Sequence, residues 1–552
     1  MKTSILSPIP FVLFAACACA VAAPAPVEHG EFEATLYAPF AGDPAAPPGH
    51  RDARNFTLTF DFPGLSQPKQ VDWRLDLLAP GGKPVKSWRG MRVMRHVPVS
   101  IDVHWDGTVA GTRARAGVYT ARMRASVRGA PPEEAVEQAW PMEVGPVAPL
   151  AMPRFDALPS ARTVREPQAA PSTASLPYTV YLGNLHSQTN HSDGGADVAA
   201  CNGAQQPQGG RYGPADAYAY ARGRGLDMLM TSEHNHMYDG SDGSNPNADA
   251  AKARALFHGG LDAANAFSGA HPGFLAIYGL EWGVISNGGH LNIFNATELL
   301  GWEKNAGGEL VGDTFTARSD YGALYTLMKQ RGWVGQFNHP SVSGQFVVNG
   351  VALGYTPDGD QAMALCEVLN STAFSNNDSE TETRRSSFEM ACNKLLEAGY
   401  HVAFSSDQDN HCANWGVSYT NRTGVLVPAG TPLTLDSFLE AVRARRVFAT
   451  MDKGSQLVLT ANGHLMGERF ASSGPLTLAA NFANDAGKTV AAVAIMEGVP
   501  GRNGTVTQLS ATATTTFTPT PGEHFYYAKV TQSDGNVLWS APVWVTQAGP
   551  KP

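Results

Sequence analysis

From about Phe32 to Val144 apolar residues recur at every second position in short runs, such as Phe56-Thr57-Leu58-Thr59-Phe60 and Val71-Asp72-Trp73-Arg74-Leu75-Asp76-Leu77, separated by proline and glycine. A period of two buries one face of a strand, so residues 28–148 are expected to form an antiparallel, Ig-like β-sandwich. Residues 149–175 lose this periodicity and are rich in Pro, Ala and Arg, as a linker is. Over 176–452 the rhythm changes. Pro214 to Gly225 reads as a helix with proline in its first turn and glycine at its end, followed by the apolar run Leu226 to Met230. Asp320 to Arg331 repeats this before Trp333 to Phe337, and Ser387 to Gly399 before His401 to Phe404. Helices alternating with buried strands predict a parallel α/β barrel. Alternation returns in Leu457 to Thr460, Val490 to Ile495 and Tyr526 to Val530, which predicts a second β-sandwich over 453–548.

At 552 residues the chain exceeds what one hydrophobic core organises, which agrees with several folded units. With 43% hydrophobic and 16% charged residues its composition is globular, of the kind found outside bacterial cells. The formal net charge of −9 offers no overall attraction for nucleic acid or an anionic membrane, so bulk nucleic-acid binding is not expected.

Residues 1–22 read as a secretory signal, with Lys2 as the basic start, an apolar stretch from Ile9 to Val21 and small residues at Ala20-Val21-Ala22. The expected location is therefore secreted or periplasmic, and no later segment is apolar for long enough to span a bilayer. Removing the signal leaves Cys201, Cys366, Cys392 and Cys412, enough for two disulfides in three possible connectivities. The pairing expected is Cys366 with Cys392 and Cys201 with Cys412.

The candidate chemistry lies where each strand of the expected barrel ends: Leu185-His186, Ser232-Glu233-His234, Leu280-Glu281, Asn338-His339, and the group Asp407, Asp409 and His411. The C-terminal ends of barrel strands converge on one face, so residues far apart in sequence would meet there. Neutral imidazole together with ionised carboxylate suits Zn, Mn or Fe as divalent ions, and a carboxylate can bridge two of them. No serine or cysteine nucleophile is then required.

These segments resemble, in order, the motifs of the PHP (polymerase and histidinol phosphatase) superfamily of metallohydrolases, and within it the carbaryl-hydrolase branch. The likeness covers roughly Tyr178 to Thr450. Its opening motif is matched by His186, Gln188 and Ser192-Asp193-Gly194, the next by Ser232-Glu233-His234, then Gly279-Leu280-Glu281 with Gly289-His290, Asn338-His339-Pro340 and Asp409-Asn410-His411. The resemblance implies a distorted (β/α)7 barrel flanked by the two sandwiches, and two or three divalent metal ions. Its implied ligands are His186, Gln188, Asp193, His234, Glu281, His339, Asp409 and His411, with Glu281 as the bridge and His290 and Glu367 in reserve. Gln188 stands where the family has a second histidine, and an amide oxygen is a weaker ligand than imidazole for such metals. His191, on the same loop, is an alternative donor.

Beside the ligands, Glu233 is a candidate proton acceptor, His236 a candidate acid towards the leaving group and Arg422 a candidate clamp for an anionic substrate. Asp407 competes with Asp409, whose Asp-x-His spacing favours it. Trp282, Trp415 and Tyr238 fit a pocket lining and core packing equally. The activity implied by the resemblance is a phosphoesterase acting on a small phosphate mono- or diester. The alternatives are a carbamate or carboxylic ester hydrolase and, from another class, a non-catalytic surface binding protein.

Overall fold

The computed structural model describes residues 32–549 except 44, 48–49, 63–64, 66, 96, 131–134, 161–175, 202, 285–287, 341–346, 349–350 and 353. The signal expected at 1–22 and the larger part of the linker expected at 149–175 lie outside the described residues.

Two antiparallel sheets make the first unit. Glu33–Tyr37, Arg54–Asp61 and Val99–Trp105 form one; Pro84–Met94, Lys69–Leu78, Gly117–Val127 and Val136–Val144 form the other. Strand alternation sends Phe56, Leu58, Phe60 and Trp105 from the first sheet and Leu75, Leu77, Met123 and Met142 from the second into a shared core.

The middle of the chain corrects the expectation of an α/β barrel. Over all the described residues strand outweighs helix, 41% to 14%, and the central sheet itself is mixed. Tyr178–Asn184, Met228–His234 and Leu275–Val284 are parallel neighbours, as are Gly335–Phe337, Met363–Asn370 and Ala403–Asp407. Between these two sets, Gly289–Ile293 runs antiparallel to both of its neighbours. Arg422–Pro428 is antiparallel to Tyr178–Asn184 and to Val447–Thr450. The reason is chain length: a parallel return needs a crossover of about a dozen residues or more, whereas Leu275–Val284 and Gly289–Ile293 are almost contiguous. The reversal uses Gly288 and Gly289 at φ 128° and 104°, where an L side chain is strained.

Helices that do form carry clear local signals. Pro214–Gly223 begins on proline, with the Asp216 side chain accepting from Gly213 N at 3.0 Å. Tyr321–Arg331 is capped by the Asp320 side chain and closed by Gly332 at φ 68°, and Glu389–Ala398 is closed by Gly399 at φ 114°.

The central sheet does not stop at residue 452. Val447–Thr450 pairs with Val537–Ser540, and the sheet runs on through Gly522–Gln532 to Val490–Gly498. A four-stranded sheet of His464–Leu465, Ser455–Ala461, Leu476–Asn484 and Thr514–Phe517 belongs to the same C-terminal part of the chain. One apolar cluster links Val180, Met230, Ile277, Val425, Tyr526 and Val543 of this sheet to Leu457 and Leu478 of the four-stranded one. Both expected disulfides form, Cys201–Cys412 and Cys366–Cys392.

A second tie between these parts is polar. The buried Glu397 carboxylate accepts the backbone N–H groups of Gly504, Thr505 and Val506 at 2.9, 2.6 and 2.8 Å. Replacing it strands three donors, and an unsatisfied buried donor costs about 1–3 kcal/mol. Glu397→Ala is expected to lower the urea midpoint of unfolding by a loss of that size; an unchanged midpoint would show that the contact adds nothing.

Candidate metal centre

Side chains two apart on a strand share a face, and on the inner face of the central sheet each strand changes character along its length. Met230 gives way to Ser232 and His234, Ile277 to Gly279 and Glu281, Val334 to Gln336 and Asn338, and Ala403 to Ser405 and Asp407. Register then aligns the polar ends: His234 lies opposite Glu281, Glu281 opposite Asn292, and Asn292 opposite Gln336. His290 reaches the same end because its strand runs the other way, opposite Gly283.

Glu281, 1% exposed, is the middle of the cluster. Its Oε1 lies 3.0 Å from His186 Nε2, 3.1 Å from His290 Nδ1 and 3.5 Å from His339 Nε2, while Oε2 lies 3.6 Å from His234 Nδ1. Burial opposes ionisation of this carboxyl, yet His186, His290 and His234 hold it well below the usual carboxylate range. Asp409 faces His186 Nε2 at 3.0 Å. Burial pushes its carboxyl up, but His186 and His411 bring it down to about 2. Asp193 Oδ1 lies 3.4 Å from His411 Nε2 and 3.7 Å from His234 Nε2.

Neighbouring groups set the orientation of the imidazoles. His186 turns Nδ1 to Glu367 Oε1 at 3.2 Å, leaving Nε2 towards Glu281 and Asp409. Burial opposes its protonation, but Asp409, Glu281 and Glu367 together raise it well above the ordinary imidazole value. Glu367 also accepts His339 N at 2.7 Å. His411 Nδ1–H donates to the Asp409 carbonyl oxygen at 2.9 Å, which points Nε2 at Asp193. His339 and Asp409 both hold positive φ, 24° and 51°, a conformation kept in non-glycine residues only where the surroundings impose it.

Three sets of side chains bring potential ligand atoms within 4.8 Å of one another: His186, Glu281 and His339; Asp193, His234 and His411; and His234, Glu281 and His290. Imidazole nitrogen mixed with carboxylate oxygen is the donor chemistry of zinc, manganese and iron sites. Gln188 adds a second sign of fit. Its Nε2 donates to Glu281 Oε2 at 2.6 Å and lies 3.3 Å from Asp409 Oδ1, while its fully buried Oε1 has no hydrogen-bond partner. The residues present therefore fit more than one divalent cation.

Other candidates are placed differently. Glu233 points to the opposite face from His234 and holds the ligand loop from below, accepting Thr189 N at 3.0 Å, Thr189 Oγ1 at 2.6 Å and Ser192 Oγ at 2.6 Å. Burial pushes it up to about 7 despite those donors. His236 stacks on Trp302 and faces Asp242 at 3.4 Å, beside the cluster. Arg422 does not clamp a substrate: it is fully buried, donating to the Tyr419 and Asn421 carbonyls and to Glu380 Oε1 at 2.7 Å.

His191 does not enter the cluster; its Nδ1 pairs with Tyr278 Oη at 2.6 Å, and Tyr278 in turn meets Tyr238 Oη at 2.7 Å. Asp407 ties strands together, accepting Leu185 N at 2.8 Å and Thr423 Oγ1 at 3.0 Å. Trp282 and Trp415 are buried, donating to Thr316 Oγ1 and to the Gln188 carbonyl. Asn338 escapes a search for ligand types, although its amide donates to Glu281 Oε1 at 2.8 Å and to Asn292 Oδ1 at 2.9 Å. Its position two residues after Gln336 on an inward-facing row is the signal that finds it.

No family model and no curated protein matches the chain. Solved structures that align with it include β-glucuronidase 2 of Bacteroides uniformis covalently bound to cyclophellitol-6-carboxylate aziridine, at 10% identity over 94% of this chain and 62% of that one, TM-score 0.16. A putative β-galactosidase from Bacteroides fragilis aligns at 11% identity over 94% and 74%, TM-score 0.15. A glycosyl hydrolase family 2 member from Bacteroides cellulosilyticus aligns at 8% over 95% and 64%, TM-score 0.15. This chain thus spans less than two thirds of the first protein's length. At such scores neither fold nor activity passes to this chain. No family model supports PHP membership, and the central sheet is mixed rather than parallel. The expected PHP membership, its carbaryl-hydrolase branch, and the phosphoesterase or carbamate hydrolase activity drawn from them are corrected accordingly.

The Glu233 contacts make the ligand loop testable apart from any activity. Glu233→Ala removes the acceptor of three buried donors, and a loss of about 1–3 kcal/mol is expected. Amide exchange across residues 188–194 is expected to quicken; protection equal to that of the unaltered chain would remove Glu233 from this role.

Proposed function

We propose that this protein is a hydrolase whose reaction centre holds two or three divalent metal ions, Zn, Mn or Fe, at the end of the central sheet. The observation that carries the reading is Glu281, which turns one carboxylate oxygen to His186, His290 and His339 and the other to His234. Bound there, such cations would supply Lewis acidity, acidifying water and polarising the bond to be hydrolysed.

The chain's own groups divide the work. His186, His339 and Glu281 would hold one cation, and Asp193, His234 and His411 another, with His290 beside the shared carboxylate. Glu367 fixes the His186 ring and the His339 backbone, so these donors are in place before substrate arrives. Asn338 and Gln188 donate to opposite oxygens of Glu281 and restrain its rotation. The approach lies over His339 and Asp409, whose side chains are 15% and 9% exposed, whereas His186, His234, His290 and His411 are sealed. Burial of the rest excludes bulk water and strengthens each electrostatic contact.

Export also belongs to this reading, supported by two disulfides of the kind that persist in oxidising compartments. Among the described residues no helix is long and apolar enough to cross a membrane.

The test is elemental analysis of the purified full chain, with hydrolysis measured on a panel of chromogenic glycosides, esters and amides before and after chelation. About two or more divalent ions per chain are expected, with a hydrolysis that chelation abolishes and the same metal restores. Glu281→Gln is expected to lose at least one ion and the activity together. A chain that binds no such ion, or whose hydrolysis survives chelation and Glu281→Gln, would overturn the proposal.

A further inference from the structure

Both flanking regions take hold of one short stretch of the central unit. Ser387 N donates to Gln138 Oε1 at 2.8 Å, and Gln138 is buried on the core-facing row of Val136–Val144, an edge strand of the four-stranded N-terminal sheet. Two residues further on, Glu389 accepts Tyr527 Oη at 3.0 Å and Lys529 Nζ at 2.5 Å, both from the C-terminal strand Gly522–Gln532. Phe388 stands between these anchors. Its ring lies 6.4 Å from that of His339, the most exposed imidazole of the centre.

The same stretch supplies another ring. Phe374 meets His411 edge to face with centroids 4.9 Å apart, and the Ala373 carbonyl accepts His411 N at 3.1 Å. Both phenylalanines are half-buried. Phe388 belongs to none of the apolar clusters among the described residues, so core packing does not account for it. Arg385 fastens the stretch from the side. Its guanidinium lies 5.3 Å from the Trp140 ring of the N-terminal sandwich and 4.6 Å from the Tyr419 ring, which follows the loop of Asp409 and His411. Tyr419 Oη in turn donates to Asn536 Oδ1 at 2.7 Å. The other arginines here are also engaged, Arg384 with Glu382 at 3.1 Å and Arg422 with Glu380 at 2.7 Å.

We propose that Phe374 and Phe388 seat a flat, uncharged aromatic group that the substrate carries beside the bond to be cleaved, and that the flanking sandwiches position Phe388 through Gln138 and Glu389. The inference rests on the proposed metal centre and names the substrate class it takes. Phenylalanine presents an apolar face without donor or acceptor, so it matches an aromatic ring better than the hydroxyls of a sugar. Arginines already engaged offer no clamp for an anionic group. A ring held from both sides is in place before the ligand arrives, which lowers the cost of binding. Gln138 and Glu389 act through Phe388 and are positioning residues.

The experiment measures binding of hydroxamates to the metal-loaded full chain, since these probes chelate divalent ions through the same two oxygens whatever group they carry. Benzohydroxamate is expected to bind at least about tenfold more tightly than acetohydroxamate, because its phenyl ring buries apolar surface. Para-carboxybenzohydroxamate is expected to bind more weakly than benzohydroxamate. Phe388→Ala is expected to cut the preference for the phenyl probe to about threefold or less. Gln138→Ala, far from the ligands, is expected to narrow that preference while metal content and acetohydroxamate affinity stay those of the unaltered chain. A purely structural role would weaken both probes alike. Equal affinity for benzohydroxamate and acetohydroxamate, an unchanged preference in Phe388→Ala, equal weakening of both probes in Gln138→Ala, or tighter binding of the carboxylated probe would each overturn the inference and leave the metal centre standing. Binding of neither hydroxamate would overturn the metal centre and this inference together.

Discussion

A carboxylate taken out of water must be met by positive charge or by several donors, because the desolvation it suffers exceeds the net gain of any one hydrogen bond. Glu281 satisfies this with four imidazoles and two amides, and the centre of the protein is arranged around that requirement. The strands deliver the imidazoles from different directions, and the parallel register places His234 squarely beside it. His290 comes from a strand that reverses within a few residues. An all-parallel arrangement would have carried that histidine to the far end of the sheet.

The same constraint explains why the inner face is graded. Apolar side chains fill its lower layers and merge with the core of the C-terminal region, so the polar layer rests on packed material rather than on solvent. Close packing holds buried side chains in fixed rotamers, and ligand atoms need that fixity to converge. Glu233 and Asp407 belong to this support. Each is a buried carboxylate that accepts backbone and hydroxyl protons and ties a ligand loop or strand in place.

Local signals in the sequence were legible. The helices Pro214–Gly223, Tyr321–Arg331 and Glu389–Ala398 lie within the segments that Pro214, Asp320 and Gly399 delimit. The strand-end histidines and carboxylates are assembled at one place together with the reserve candidate His290, and Asn338 is added to them. The architecture was not legible, because periodicity shows that a strand is buried but not which way its neighbour runs. The tight return at Gly288 and Gly289, and the pairing of Val447–Thr450 with Val537–Ser540, depend on contacts that alternation does not encode. Arg422 follows the same rule: sequence places a cation near a ligand loop, and only the fold gives it Glu380 and two carbonyls as partners.

The disulfide between Cys201 and Cys412 joins segments 211 residues apart, one following Asp193 and the other beginning immediately after His411. Thiol oxidation needs both sulfurs in reach, so this half of the centre cannot be locked while the chain is still emerging. The bond can close only where the segments that carry Asp193 and His411 stand side by side, as the bridge between Ala196 and Cys412 places them. Assembly of the centre is thereby tied to the redox state of the compartment in which the chain completes its folding.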